Sequence, residues 1–162
     1  MKKHTVILSM LIIMLSLALC ACQNSEQKQT EVINLQERYE QGIASLNDTS
    51  ADPPVLFPET NIDYFEAFYP GIGAIEMKQF YAGVAPVTNA PFEIILVEVA
   101  NADDVQEMID IFQNRADRAS KDEAYPENAA AWLNEVKITS RDNYVFLAVL
   151  MNNKVPAEFI LD

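Results

Sequence analysis

Histidine and cysteine are nearly missing from this 162-residue chain: one histidine, His4, and two cysteines, Cys20 and Cys22, all lie within the first 22 residues. From Gln23 onward there is neither. Their absence excludes a disulfide, a Cys/His zinc site and a thiol nucleophile from the bulk of the chain. It also withholds the side chain most often used as general acid or base near neutral pH. Positive charge is scarce as well, with 11 Lys and Arg against 24 Asp and Glu. Nucleic-acid binders need basic patches that displace counterions, and anionic membrane surfaces attract polybasic segments; this composition forms neither. No nucleic-acid partner is expected. The field favours cationic partners, although net charge on its own speaks first to solubility.

There is one long apolar run, from Thr5 to Leu19, preceded by Met1-Lys2-Lys3 and followed by Leu19-Cys20-Ala21-Cys22. At 15 residues it falls short of the roughly 20 needed to cross a bilayer, and its basic start marks a leader rather than an anchor helix. Cys22 has the small Ala21 before it and Leu19 three residues upstream, whereas Cys20 follows the bulky Leu19. The stretch resembles the bacterial lipobox. That resemblance implies a diacylglyceryl thioether on Cys22 and removal of residues 1–21; the alternative is an ordinary secretory signal that leaves Cys22 a free thiol. At about 0.8 kcal/mol per buried methylene, two acyl chains hold firmly, so the expected location is the extracytoplasmic face of a cell membrane. Loss of Lys2 and Lys3 leaves nine basic residues and a charge of −15.

Residues 22–31 then form a polar tether; Gln23 to Glu31, fully extended at about 3.3 Å per residue, would reach about 30 Å. Residues 32–162 are expected to make a single domain, since their number and apolar content suffice for one core. Asn34, with Glu37 three residues on, caps a helix whose inward face is Leu35, Tyr39, Ile43 and Leu46. The segment from Asn47 to Pro58 reads as a loop. Its Asn47, Asp48 and Asp52 lack the alternation, central glycine and closing glutamate of a calcium loop. A short helix over Ile62–Tyr69 places Ile62, Phe65 and Phe68 or Tyr69 at core spacing, with an aromatic binding platform as the alternative use of Tyr64, Phe65, Phe68 and Tyr69.

Strands are expected over Ile75–Val84 and Phe92–Val99, the second apolar on both faces as in the middle of a sheet. Asn101 then caps a long helix with Val105, Met108, Ile109, Phe112 and Ala116 inward. Arg115, Arg118 and Lys121 late in that helix suit its dipole better than an anion site. A helical piece through Trp132-Leu133, a strand Val136–Ile138, a turn at Arg141-Asp142-Asn143, a strand Tyr144–Met151 and a closing helix over Pro156–Leu161 complete the order. The architecture that follows is α+β: a mainly antiparallel four-stranded sheet with a long helix packed on one face, plus N-terminal helices.

The leader, the strand Glu93–Val99, the helix Asn101–Lys121 with its basic end, Tyr125-Pro126-Glu127 and Asn143-Tyr144-Val145 together resemble the bacterial lipoproteins grouped as domain of unknown function 4358. One departure is Asp142, where that pattern has glycine before the Asn-Tyr pair. The resemblance implies no reaction, cofactor, metal or catalytic residue, and an accessory role in envelope polysaccharide modification beside membrane-bound O-acyltransferases. Two functions follow as expectations. The first is a non-catalytic, membrane-anchored accessory or interaction module with an envelope protein or glycan as partner. The second is a carboxylate-dependent cell-wall glycan hydrolase, which needs two acids about 5 to 9.5 Å apart across a cleft; Glu76, Glu93 and Glu98 have ordinary solvated readings and name no such pair.

Overall fold

The computed structural model describes residues 32–86 and 90–161. The leader, the lipidation of Cys22 and the tether expected from the sequence lie outside them. The described chain runs α1 (Leu35–Thr49), β1 (Phe57–Glu59), α2 (Ile62–Glu66), β2 (Met77–Val84), β3 (Phe92–Val99), α3 (Val105–Ala119), α4 (Pro126–Asn134), β4 (Lys137–Arg141) and β5 (Tyr144–Leu150), with 3-10 turns at Ile72–Ala74, Ala102–Asp104 and Ala157–Phe159. Five strands form one sheet in the order β1-β2-β3-β5-β4. Every neighbouring pair is antiparallel.

The α+β class holds, but the sheet has five strands where four were expected, because β1 lies in the segment read as loop. Its three residues include Pro58, which cannot donate to a ladder and is tolerated at an edge. The helical cover also differs. Strands β3 and β5 are buried on both sides, so alternate residues feed two cores. Ile95, Val97, Val99, Val145, Leu147 and Val149 pack with Phe65, Met108, Phe112 and Trp132 from α2, α3 and α4. Ile94, Leu96, Phe146, Ala148 and Leu150 pack with Leu35, Tyr39 and Leu46 from α1 and with Phe159 and Leu161 from the chain's end. Helices thus cover both faces, not one.

Local chemistry explains the elements. Asn34 Oδ1 accepts the Glu37 amide at 3.1 Å and starts α1. Pro126 opens α4 at the position where its missing N–H costs nothing. In α3 the buried stripe is Met108, Ile111, Phe112 and Ala116; Ile111 takes the inward place expected of Ile109, which is half-buried. Asn101 makes no capping bond to the backbone, and a 3-10 turn precedes the α-helix. The helix expected over Ile62–Tyr69 stops at Glu66. The closing helix is a single 3-10 turn. Asp142 takes φ 53°, the left-handed conformation that glycine or a short polar side chain supplies in the β4–β5 turn.

Two features position side chains. A β-bulge at Lys78 shifts the register between Met77 and Gln79, so Gln79 stands opposite Glu98. Gly42 lies against Phe159, whose ring a Cβ would overlap. Among the described residues no helix is long and apolar enough to cross a membrane.

Candidate functional site

The polar group most deeply embedded in the α2–α3–α4 face is Glu93, only 8% exposed. This corrects the solvated reading of that residue. It sits in a cross-strand row, Phe57 opposite Val84, Val84 opposite Glu93 and Glu93 opposite Val149, on the side where α3 crosses. Its two oxygens have separate partners. The Tyr69 hydroxyl donates to Oε2, and Arg115 Nη2 donates to Oε1 at 2.6 Å.

Arg115, read from the sequence as a helix-dipole partner, is therefore an internal counter-ion with 13% of its side chain exposed. Its guanidinium lies 4.7 Å from the centre of the Trp132 ring, 5.5 Å from Phe68 and 5.9 Å from Tyr69. Its buried Nε has no hydrogen-bond partner; the Trp132 face, an attractive surface for a cation, supplies part of what is missing. Burial, reinforced by Glu93, pushes the Tyr69 hydroxyl well above its ordinary value. Burial acts to lower the Arg115 value, and the facing carboxylate outweighs it and raises it. Glu93 and Arg115 thus form an ion pair inside the fold. Arg118 Nη2 donates to the Phe68 carbonyl at 2.5 Å.

Above the pair lies a narrow cleft lined by Tyr64, Phe65, Phe68, Tyr69, Val84, Ala85, Ala90 and Glu93. It admits at most about one water. The four aromatics divide between the two uses read from the sequence. Phe65 and Tyr69 are buried at 1% exposure and belong to the core, while Tyr64 is 38% exposed and Phe68 half-buried at the cleft. The turn that follows is closed by Glu66, whose carboxylate accepts from the Gly71 amide at 2.8 Å and the Gly73 amide at 3.1 Å. Those two amides lower its value.

The other expected acids lie elsewhere. Glu76 is exposed. Glu98 is on the opposite face, where Gln79 Nε2 donates to it at 2.6 Å and Lys78 approaches at 3.7 Å. Gln79 also accepts from the Leu35 amide at 3.1 Å and donates to the Ile33 carbonyl at 2.8 Å, while the Tyr144 hydroxyl accepts from the Ile33 amide at 3.1 Å. Gln79, Glu98 and Tyr144 thus form a second polar row, gripping the chain as it enters α1. Sequence reasoning passed over Gln79 entirely; the local signal was a polar pair, Lys78-Gln79, at the start of an otherwise apolar strand. Near Asn47, Asp48 and Asp52, the Ser50 hydroxyl accepts from the Asp52 amide. No group of three His, Cys, Asp or Glu among the described residues is placed to hold a metal ion.

Comparison with curated proteins and with solved structures returns no match. A family model does match, over residues 63–150. That stretch, more than half of the chain, contains Glu93, its partners Tyr69 and Arg115, strands β2 to β5, and helices α3 and α4. The chain belongs to the family described as Domain of unknown function (DUF4358).

Proposed function

We propose that this protein is a lipoprotein held by Cys22 on the extracytoplasmic face of a membrane, and that its folded domain is a non-catalytic interaction module acting on an envelope protein or glycan. The observation that carries the non-catalytic part is the state of Glu93. Both of its oxygens are engaged by the domain's own Tyr69 and Arg115, and a general acid needs a proton it can release toward a substrate. Among the residues lining the cleft above it, Glu93 is the sole carboxylate. The anchored part rests on the sequence from Leu19 to Cys22 and on the polar residues that follow it.

Crosslinking in intact cells with the full chain as bait, followed by mass spectrometry, tests the reading when wild type is compared with Cys22→Ala. Capture of an envelope protein that depends on Cys22 is the expected result. Equal membrane fractionation of both baits would remove the anchor, and hydrolysis of cell-wall glycan by purified protein, abolished in Glu93→Gln, would replace the binding reading with an enzymatic one.

A further inference from the structure

We infer that the corner where β1 and α2 meet the end of β2 docks a cationic, apolar peptide segment of a partner protein. This deepens the interaction reading above and rests on it. Three large hydrophobic side chains stand out at this corner: Val55 is 67% exposed, Phe57 53% and Tyr64 38%. Phe57 and Tyr64 adjoin the aromatic cleft, because Phe57 pairs with Val84, and Val84 and Tyr64 both line it; Val55 precedes Phe57 by two residues. Clustered exposed apolar side chains with a polar surround mark association surfaces more than single exposed ones do.

Charge selects the occupant. From Tyr39 to Met77 the chain carries seven Asp and Glu residues and no Lys, Arg or His. Glu59 lies two residues beyond Phe57 on β1, and Asp63 is next to Tyr64 on α2. A basic side chain approaching this rim meets carboxylates at the edge and aromatic rings at the centre, and both attract it. An anionic lipid surface or a nucleic acid would be repelled. A second copy of this chain, with the same large negative charge, would meet like with like.

Geometry selects the mode. Adding a strand to the sheet along β1 is disfavoured, since the edge is three residues long and Pro58 lacks a donor. Recognition therefore falls to side chains: apolar anchors against Phe57 and Tyr64, basic groups over the acidic rim.

Fluorescence anisotropy with the full chain in detergent tests this, using four labelled short peptides of equal length: basic-apolar, acidic-apolar, basic-polar and neutral-polar. The expected result is that the basic-apolar peptide binds at least about tenfold tighter than the others and that rising salt weakens it. Phe57→Ser and Tyr64→Ser, both at exposed positions, should each reduce that binding by about tenfold, whereas Leu133→Ser on exposed α4 should not. Equal binding of basic-polar and basic-apolar peptides means charge alone is recognised and overturns the proposal. Unchanged binding in Phe57→Ser and Tyr64→Ser overturns the assignment of this surface. The same two variants used as bait in cells separate the two readings: a partner captured equally by wild type and variants leaves the interaction module standing without this surface, and no capture by wild type removes the module itself.

Discussion

The two faces of the sheet are both apolar, yet they are closed by different means. On the α2–α3–α4 side the cover comes from within residues 63–150, the stretch that defines the family, and its centre holds a buried ion pair. On the α1 side the cover comes from outside that stretch, from Leu35–Thr49 and the last residues of the chain. There several polar bonds run from side chains to the backbone of the covering segments. Arg38 Nε donates to the Glu158 carbonyl at 2.6 Å and Nη2 to Ile160 at 3.2 Å, and Gln79 grips Ile33 and Leu35. The lesson is that a face assembled from its own consecutive elements tolerates an internal charge, whereas a face covered by two segments distant in sequence is held by latches onto their backbone.

Breaking the ion pair should have the largest effect. Arg115→Ala leaves Glu93 buried without its counter-ion and is expected to cost about 3–5 kcal/mol in urea denaturation, while the double variant Glu93→Leu with Arg115→Met should recover most of that loss. A single variant as stable as wild type would show that water reaches the pair. Next comes Gly42→Ala on the other face, expected to cost about 1–3 kcal/mol because the new methyl must displace Phe159. An unchanged urea midpoint would mean the ring swings aside freely.

Smaller again is Gln79→Ala, at about 1–2 kcal/mol, since the backbone groups it frees regain some water. Its distinctive sign is faster hydrogen exchange at the Leu35 amide, which loses its acceptor, with the β3 and β5 amides unaffected; uniform acceleration would count against a local latch.

At neutral pH the last comparison is silent. Burial, reinforced by Tyr81, pushes the Tyr39 hydroxyl up to about 12, so between pH 10 and that value the unfolded chain has lost a proton that the folded chain keeps. The unfolded state then binds fewer protons, and stability falls as pH rises through this window. Tyr39→Phe should flatten the fall there. Tyr69, held well above 10 on the other face, contributes a fall of the same sign that Tyr39→Phe leaves in place; an unaltered profile in Tyr39→Phe would remove Tyr39 as a source.

Strands β3 and β5 were legible because runs such as Ile94-Ile95-Leu96-Val97 are apolar on both faces, which only a central strand requires. The helix after β3 was legible from periodicity, and α1 from its Asn34 cap as well. What stayed hidden depends on distance along the chain. Glu93 looks like a solvated strand-end acid until Tyr69, 24 residues before it, and Arg115, 22 after it, are brought to it by the fold. Which face α1 covers was equally out of reach, since helical spacing says only that one side is apolar. β1 was missed because proline is a breaker everywhere except at an edge. Asp142 went the other way: it departed from the expected glycine, and its positive φ explains why that turn accepts only a few residue types.

The clamp of Arg38 on the carbonyls of Glu158 and Ile160 ties α1 to a segment about 120 residues further along the chain. During synthesis α1 emerges early, yet Phe159 and Leu161, which share its core, follow only after β5. A chain stopped at β5 would lack both side chains and leave part of an apolar surface uncovered, a ready target for proteases. One face of the sheet is thus the last to be sealed.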